Sequence, residues 1–289
     1  MSRLLALAAL SVMTAIPALA KGPIAIVAAE NFYGEAVAAI GGDRVAVHSI
    51  IVQPGTDPHD YEPTASVATA VADARIVILS GAGYDPWMER LVAASASATR
   101  TVIDVASLIG KAPGDNPHVW YDPQAIPALA KALADALIAT DPDGKAAYEK
   151  RRDAFLAAIA PIGARIDALK ARYAGTPVTA TEPVFGYMAE ALGLKMQNDA
   201  FQRAIMNETE PSAAAVASME QDIKEARVKV VFYNSQVEDP LTQRLAEVAK
   251  LAGVPVVGVT ETQPEGQTFT EWMLDELDAT AKALGAPAS

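Results

Sequence analysis

Short runs of β-branched and other apolar residues recur along the chain, separated by Ala-rich stretches whose apolar positions return at helical spacing. The runs are Ile24 to Ala28, Val45 to Val52, Ile76 to Ser80, Val178 to Thr181, Val228 to Tyr233 and Val254 to Thr260. Strand followed by amphipathic helix, repeated, predicts a parallel α/β architecture. The two halves also echo each other. Ala74-Arg75-Ile76-Val77-Ile78-Leu79-Ser80 leads to Asp85-Pro86 and an amphipathic helix, and Val228-Lys229-Val230-Val231-Phe232-Tyr233-Asn234 leads to Asp239-Pro240 and another. Two related lobes are the simplest account.

A segment of different character separates them. From Asp143 to Tyr173 there is no β-branched cluster, and Tyr148, Phe155, Ile159, Ile162, Ile166, Leu169 and Tyr173 form one apolar stripe. The pattern predicts one helix, capped at its start by Asp143 and ended by Gly175. About 30 residues at roughly 1.5 Å each give a rod of about 45 Å, long enough to run along both lobes and limit their opening. Pro161 removes one backbone hydrogen bond inside it and predicts a kink there. The expected organisation is therefore an N-terminal lobe at 21–142, a bridging helix at 143–174 and a C-terminal lobe at 175–289.

The first 20 residues stand apart from this scheme. Arg3, an apolar stretch from Leu4 to Ile16, and the small-x-small ending of Pro17-Ala18-Leu19-Ala20 predict an export signal, with Lys21 as the mature start. The apolar stretch is shorter than the roughly 20 residues a membrane span needs, and no later segment supplies them, so a soluble exported protein is expected. With no cysteine, the chain has no disulfide, no thiolate metal site and no residue after the signal to take a lipid. A periplasmic protein without a lipid anchor is the resulting expectation. The formal net charge of -12 argues against a nucleic-acid partner, which calls for clustered Lys and Arg.

Candidate chemistry rests on three histidines. His48 is mid-strand in Val47-His48-Ser49, where a surface histidine is expected. His59 lies in Gln53-Pro54-Gly55-Thr56-Asp57-Pro58-His59-Asp60-Tyr61-Glu62-Pro63, directly after a strand. His118 lies in Asn116-Pro117-His118-Val119-Trp120-Tyr121-Asp122-Pro123, just before a helix that Asp122 is placed to cap. A single loop histidine most often does no more than hydrogen-bond its loop. Two in matching stiff, aromatic-flanked loops point to a shared role. Ligands of open parallel sheets bind beyond the carboxyl ends of strands, and two carboxylates stand there. Glu182 follows Pro177-Val178-Thr179-Ala180-Thr181 and precedes Pro183, and Glu261 follows Val256-Val257-Gly258-Val259-Thr260.

On these motifs the chain resembles the zinc- and manganese-binding solute-binding proteins of ABC importers. The resemblance runs through Asp57 to Pro63, Ser80-Gly81-Ala82-Gly83-Tyr84-Asp85-Pro86-Trp87, Pro117 to Pro123 and Glu210-Pro211-Ser212, and so covers essentially the whole mature chain. It implies two α/β lobes bridged by a long helix, with a four-ligand site in the cleft at His59, His118, Glu182 and Glu261. The cargo implied is one divalent transition metal ion, Zn²⁺ or Mn²⁺. The partner implied is a membrane-embedded ABC permease with its cytoplasmic ATPase, served by a monomeric binding protein that is not an enzyme. Two departures stand out. The family usually has aspartate where Glu261 stands, and the histidine-rich loop of many zinc members is missing, since 62–116 holds no histidine.

Two other readings remain open at this point. A periplasmic metalloenzyme could use the same two-His carboxylate set with Glu30, Glu62 or Glu210 as base, although no His-Glu-x-x-His or Gly-x-Ser-x-Gly motif is found. A carrier of a metal chelate would need a roomy aromatic cleft, against an aromatic content of 6%. Between the metals, carboxylate oxygen suits Mn²⁺ while the divalent series favours Zn²⁺. The expectation is binding of both, Zn²⁺ more tightly, with bidentate carboxylates allowing Mn²⁺ six-coordination.

Overall fold

The computed structural model describes residues 22–53, 61–236 and 239–286. The export signal and His59 lie outside the described residues.

Among the described residues, eight strands form two four-stranded sheets. The first contains β1 (Ile24–Glu30), β2 (Val45–Ile51), β3 (Ile76–Leu79) and β4 (Thr101–Asp104), in the order β2-β1-β3-β4. The second contains β5 (Pro177–Ala180), β6 (Lys195–Gln197), β7 (Val231–Asn234) and β8 (Val256–Val259), in the order β6-β5-β7-β8. Every pairing is parallel, and the two orders are the same. The sequence echo therefore falls on equivalent strands, β3 and β7. Parallel strands need helical crossovers that cover both faces of a sheet, and β3, flanked on both sides, is accordingly buried along its whole length.

The helix Lys145–Tyr173 joins the two sheets, as the sequence predicts. Tyr148, Phe155, Ile159, Ile162, Ile166 and Leu169 are its buried residues, and they are the predicted stripe except for the half-buried Tyr173. At one end it packs on the helices Asn31–Gly41 and Ala125–Thr140, and at the other on Phe269–Ala283. The helix runs through Pro161 without a break. Gly175, at φ +85°, follows its end as a left-handed residue that glycine adopts without steric cost. Asp143 does not cap the start. It lies in a single 3₁₀ turn, Pro142–Gly144, and Gly144 occupies the cap position.

One apolar cluster continues from lobe to lobe. Phe32, Trp120, Tyr121, Phe185, Phe232 and Trp272 belong to it, with ring centroids 5.3 Å apart for Phe32–Trp120, 5.5 Å for Tyr121–Phe185 and 4.5 Å for Phe185–Phe232. Smaller clusters close the outer face of each sheet, around Trp87 on one and Phe201 on the other.

Candidate metal centre

His118 precedes the 3₁₀ turn Val119–Tyr121. Asp122 is not the cap of the next helix, since Gln124 occupies that position, but its Oδ1 accepts from Gln124 N–H at 2.9 Å and shapes the turn. The imidazole is fully buried. Asn116 Oδ1 accepts from His118 N–H at 3.2 Å and lies 2.7 Å from His118 Nδ1. Because the backbone N–H only donates, that atom of Asn116 is the oxygen, so Nδ1 of His118 carries the proton. Nε2 is the nitrogen left facing the two carboxylates, and once unprotonated it offers the lone pair a metal ligand needs. Asn116 is anchored across the cleft in turn, its Nδ2 donating to Pro183 O at 2.7 Å and its carbonyl accepting from Tyr187 OH at 2.7 Å.

Both carboxylates stand beyond the carboxyl ends of strands of the second sheet. Glu182 follows β5 in extended conformation, and Pro183 opens the 3₁₀ turn after it, the position the sequence gives it. Glu261 follows β8. Their side chains are 5% and 2% exposed, and the nearer oxygens, Glu182 Oε1 and Glu261 Oε2, lie 3.9 and 3.5 Å from His118 Nε2. Metal bonds of about 2.0–2.1 Å at tetrahedral angles place neighbouring donors about 3.3 Å apart. The two distances to His118 Nε2 exceed that spacing by about 0.6 and 0.2 Å, so an ion would draw the donors together by small movements. Donor atoms of His118, Glu182 and Glu261 all fall within 4.8 Å of one another.

A frame of hydrogen bonds fixes the carboxylates. Asn234, the last residue of β7, donates through Nδ2 to Glu182 Oε2 at 2.8 Å and to Glu261 Oε1 at 2.7 Å. Tyr84 OH donates to Glu261 Oε2 at 3.0 Å. Gln236 Oε1 accepts from the backbone N–H groups of Glu261 and Thr262, the latter at 3.1 Å. Tyr84 reaches the site because Gly81, Ala82 and Gly83 are all left-handed, at φ +76°, +53° and +87°. A Cβ on Gly81 would come within 2.1 Å of the Asp104 carboxylate. Asp85 ties that loop down, accepting from Ser80 N–H at 2.8 Å and Gly81 N–H at 3.0 Å, and burial pushes its carboxyl up to about 7.

The structure thus brings together His118, Glu182 and Glu261, while His59 lies outside the described residues. His48 is exposed in β2, away from this cluster, as its sequence context predicts. Of the bases weighed for an enzyme, Glu62 and Glu210 are exposed. Glu30 is fully buried, and burial, with Asp85 beside it, raises its carboxyl far above the usual range, so it is held protonated. Asn116, Tyr84, Asn234 and Gln236 were not singled out as site residues from sequence. Asn234 carried the one available signal, its place at the carboxyl end of a strand.

The family model of the periplasmic component A of zinc-uptake complexes matches residues 26–283. The chain belongs to this family. It is similar to the manganese-binding lipoprotein MntA of Halalkalibacterium halodurans, 26% identical over 273 residues, or 90% of this chain and 88% of that one. It is also 26% identical over 283 residues to the iron ABC transporter substrate-binding lipoprotein MtsA of Streptococcus pyogenes serotype M1, at the same two coverages. The periplasmic zinc-binding protein TroA of Treponema pallidum shares the fold, with TM-score 0.76 and 20% identity over 92% of this chain and 100% of that one. These relatives place the chain among the substrate-binding components of metal ABC importers. Their names also correct one expectation. MntA and MtsA are lipoproteins, and a member of this group without a lipid anchor is not what they support. The lack of cysteine behind that expectation bears only on a lipid joined through a thiol in this sequence.

Proposed function

We propose that this substrate-binding component carries a single divalent transition metal ion held by His59, His118, Glu182 and Glu261, and that it binds Zn²⁺ more tightly than Mn²⁺. The observation that carries this reading is two carboxylates, 5% and 2% exposed, converging on one buried imidazole. Buried negative charge is costly unless a cation offsets it. A single imidazole, even protonated, offsets at most one of these charges, whereas one divalent ion balances both carboxylates. Zinc accepts a nitrogen and oxygen donor set in four-coordination, and intrinsic affinity in the divalent series rises towards it.

The loaded protein, a monomer in this reading, presents the closed cleft to a membrane permease driven by its ATPase. The rival enzymatic reading needs a base beside the ion, and the protonated Glu30 and exposed Glu62 and Glu210 do not favour it. Competition titration of metal-free protein with Zn²⁺ and Mn²⁺ tests the choice of cargo. Zn²⁺ is expected to displace Mn²⁺ at equal free concentrations, and the reverse order contradicts the proposal.

A further inference from the structure

Asn234 stands between the two carboxylates at the end of the central strand β7. Its orientation is set independently of them. Oδ1 accepts from the backbone N–H of Gln236 at 3.1 Å, and since that group only donates, the side-chain nitrogen is the atom facing Glu182 and Glu261. The backbone N–H of Asn234 donates to Thr181 Oγ1 at 3.2 Å, which ties the residue to the strand end that carries Glu182. The two hydrogens on Nδ2 match the two carboxylate oxygens they meet, Glu182 Oε2 at 2.8 Å and Glu261 Oε1 at 2.7 Å.

From this geometry we infer that Asn234 is a specificity-determining residue, which holds one oxygen of each carboxylate away from the ion and so keeps both ligands monodentate. The inference rests on the proposed ligand set and deepens it. The opposite oxygens, Glu182 Oε1 and Glu261 Oε2, are the ones nearer His118 Nε2. For either carboxylate to chelate through both oxygens, it must rotate and give up its bond to the amide, leaving a buried N–H without that acceptor. Two imidazoles and two monodentate carboxylates make four donors, which completes a zinc site. Manganese favours six oxygen-rich donors, and the same residues reach six only with both carboxylates bidentate. Asn234 therefore acts against manganese without touching the ion. It removes the bidentate arrangement that the sequence alone leaves available for Mn²⁺.

The test uses Asn234→Ala in the full-length mature protein, with Asn234→Ser as a second, less disruptive variant in case the first does not fold. The affinities for Zn²⁺ and Mn²⁺ are measured separately, and the absorption spectrum of the Co²⁺-loaded protein is recorded. Four-coordinate Co²⁺ absorbs strongly in the visible and six-coordinate Co²⁺ weakly. The inference predicts strong absorption for the unaltered protein, weaker absorption for the variant, and a Zn²⁺-to-Mn²⁺ affinity ratio that falls by about tenfold or more, the scale of losing a residue that orients metal ligands. A variant that binds both ions more weakly by the same factor, with an unchanged Co²⁺ spectrum, would show that Asn234 merely supports the fold and would overturn the inference. Failure of the underlying ligand set looks different: the unaltered protein itself would then bind neither ion stoichiometrically.

Discussion

Tyr121 has one hydroxyl hydrogen and two acceptors at 2.7 Å, Thr260 O and Glu276 Oε2. Both bonds form at once only if Glu276 is protonated and donates to Tyr121, which passes its own hydrogen to Thr260. Burial favours the same state, pushing the Glu276 carboxyl up to about 8. Glu276 Oε1 meanwhile accepts from Trp272 Nε1 at 2.9 Å and Thr260 N–H at 3.2 Å, which braces the backbone next to Glu261. A folded pKa raised above the ordinary value of 4.5 gives stability that is fully present below that value and lost as pH rises through about 8. Metal-free protein should therefore lose stability as pH rises from about 5 to 8. Glu276→Gln, which keeps the shape and stays neutral, should fall less steeply, retaining the part due to the other buried carboxyls with raised values, Glu30 and Asp85. Urea midpoints measured across that range check this, and parallel curves for the two proteins would rule it out.

Among the elements, the bridging helix carries an interior proline at an exposed position. Proline there forfeits a backbone hydrogen bond and costs about 3 kcal/mol, offset in part by about 1 kcal/mol of lost freedom in the unfolded chain. Pro161→Ala should raise stability by roughly 2 kcal/mol. Equal or lower stability in denaturant titration would mean that the helix path is adapted to the proline. This helix was legible in the sequence because a 29-residue element repeats its apolar spacing many times. The edge strands β4 and β6 were not, since one has a single buried residue and the other none, so neither reads as an apolar run. The halves share one strand order, so equivalent ends can be compared. Ser80 follows β3 where Asn234 ends β7, and Glu30 ends β1 near where Glu182 follows β5. Among the described residues, only Glu182 of these four lies against a histidine. Glu182 and Glu261 were legible because strand ends are where parallel sheets bind ligands. Asn234 is not legible in the same way, since an amide that orients ligands leaves no trace in composition or charge.

For the molecule as a whole, the site is where the two lobes already meet. Asn31 Nδ2 donates to Gln263 O at 2.9 Å, Gln263 Nε2 to Glu35 Oε2 at 2.8 Å, and Tyr84 and Tyr121 reach Glu261 and Thr260 from the opposite lobe. The aromatic cluster is continuous beneath them. On the proposed ligand set, metal binding would be a local closure of donors that already lie within 4.8 Å of one another. The central claim, a divalent-metal site spanning the two lobes, is tested most directly by equilibrium metal binding. Zn²⁺ is titrated into metal-free unaltered protein, Glu182→Ala, Glu261→Ala and the control His48→Ala. The account predicts one equivalent bound by the unaltered protein and the control with equal affinity, and a loss of at least about tenfold, or about 1.4 kcal/mol, in each glutamate variant. Undiminished affinity in both glutamate variants would contradict it.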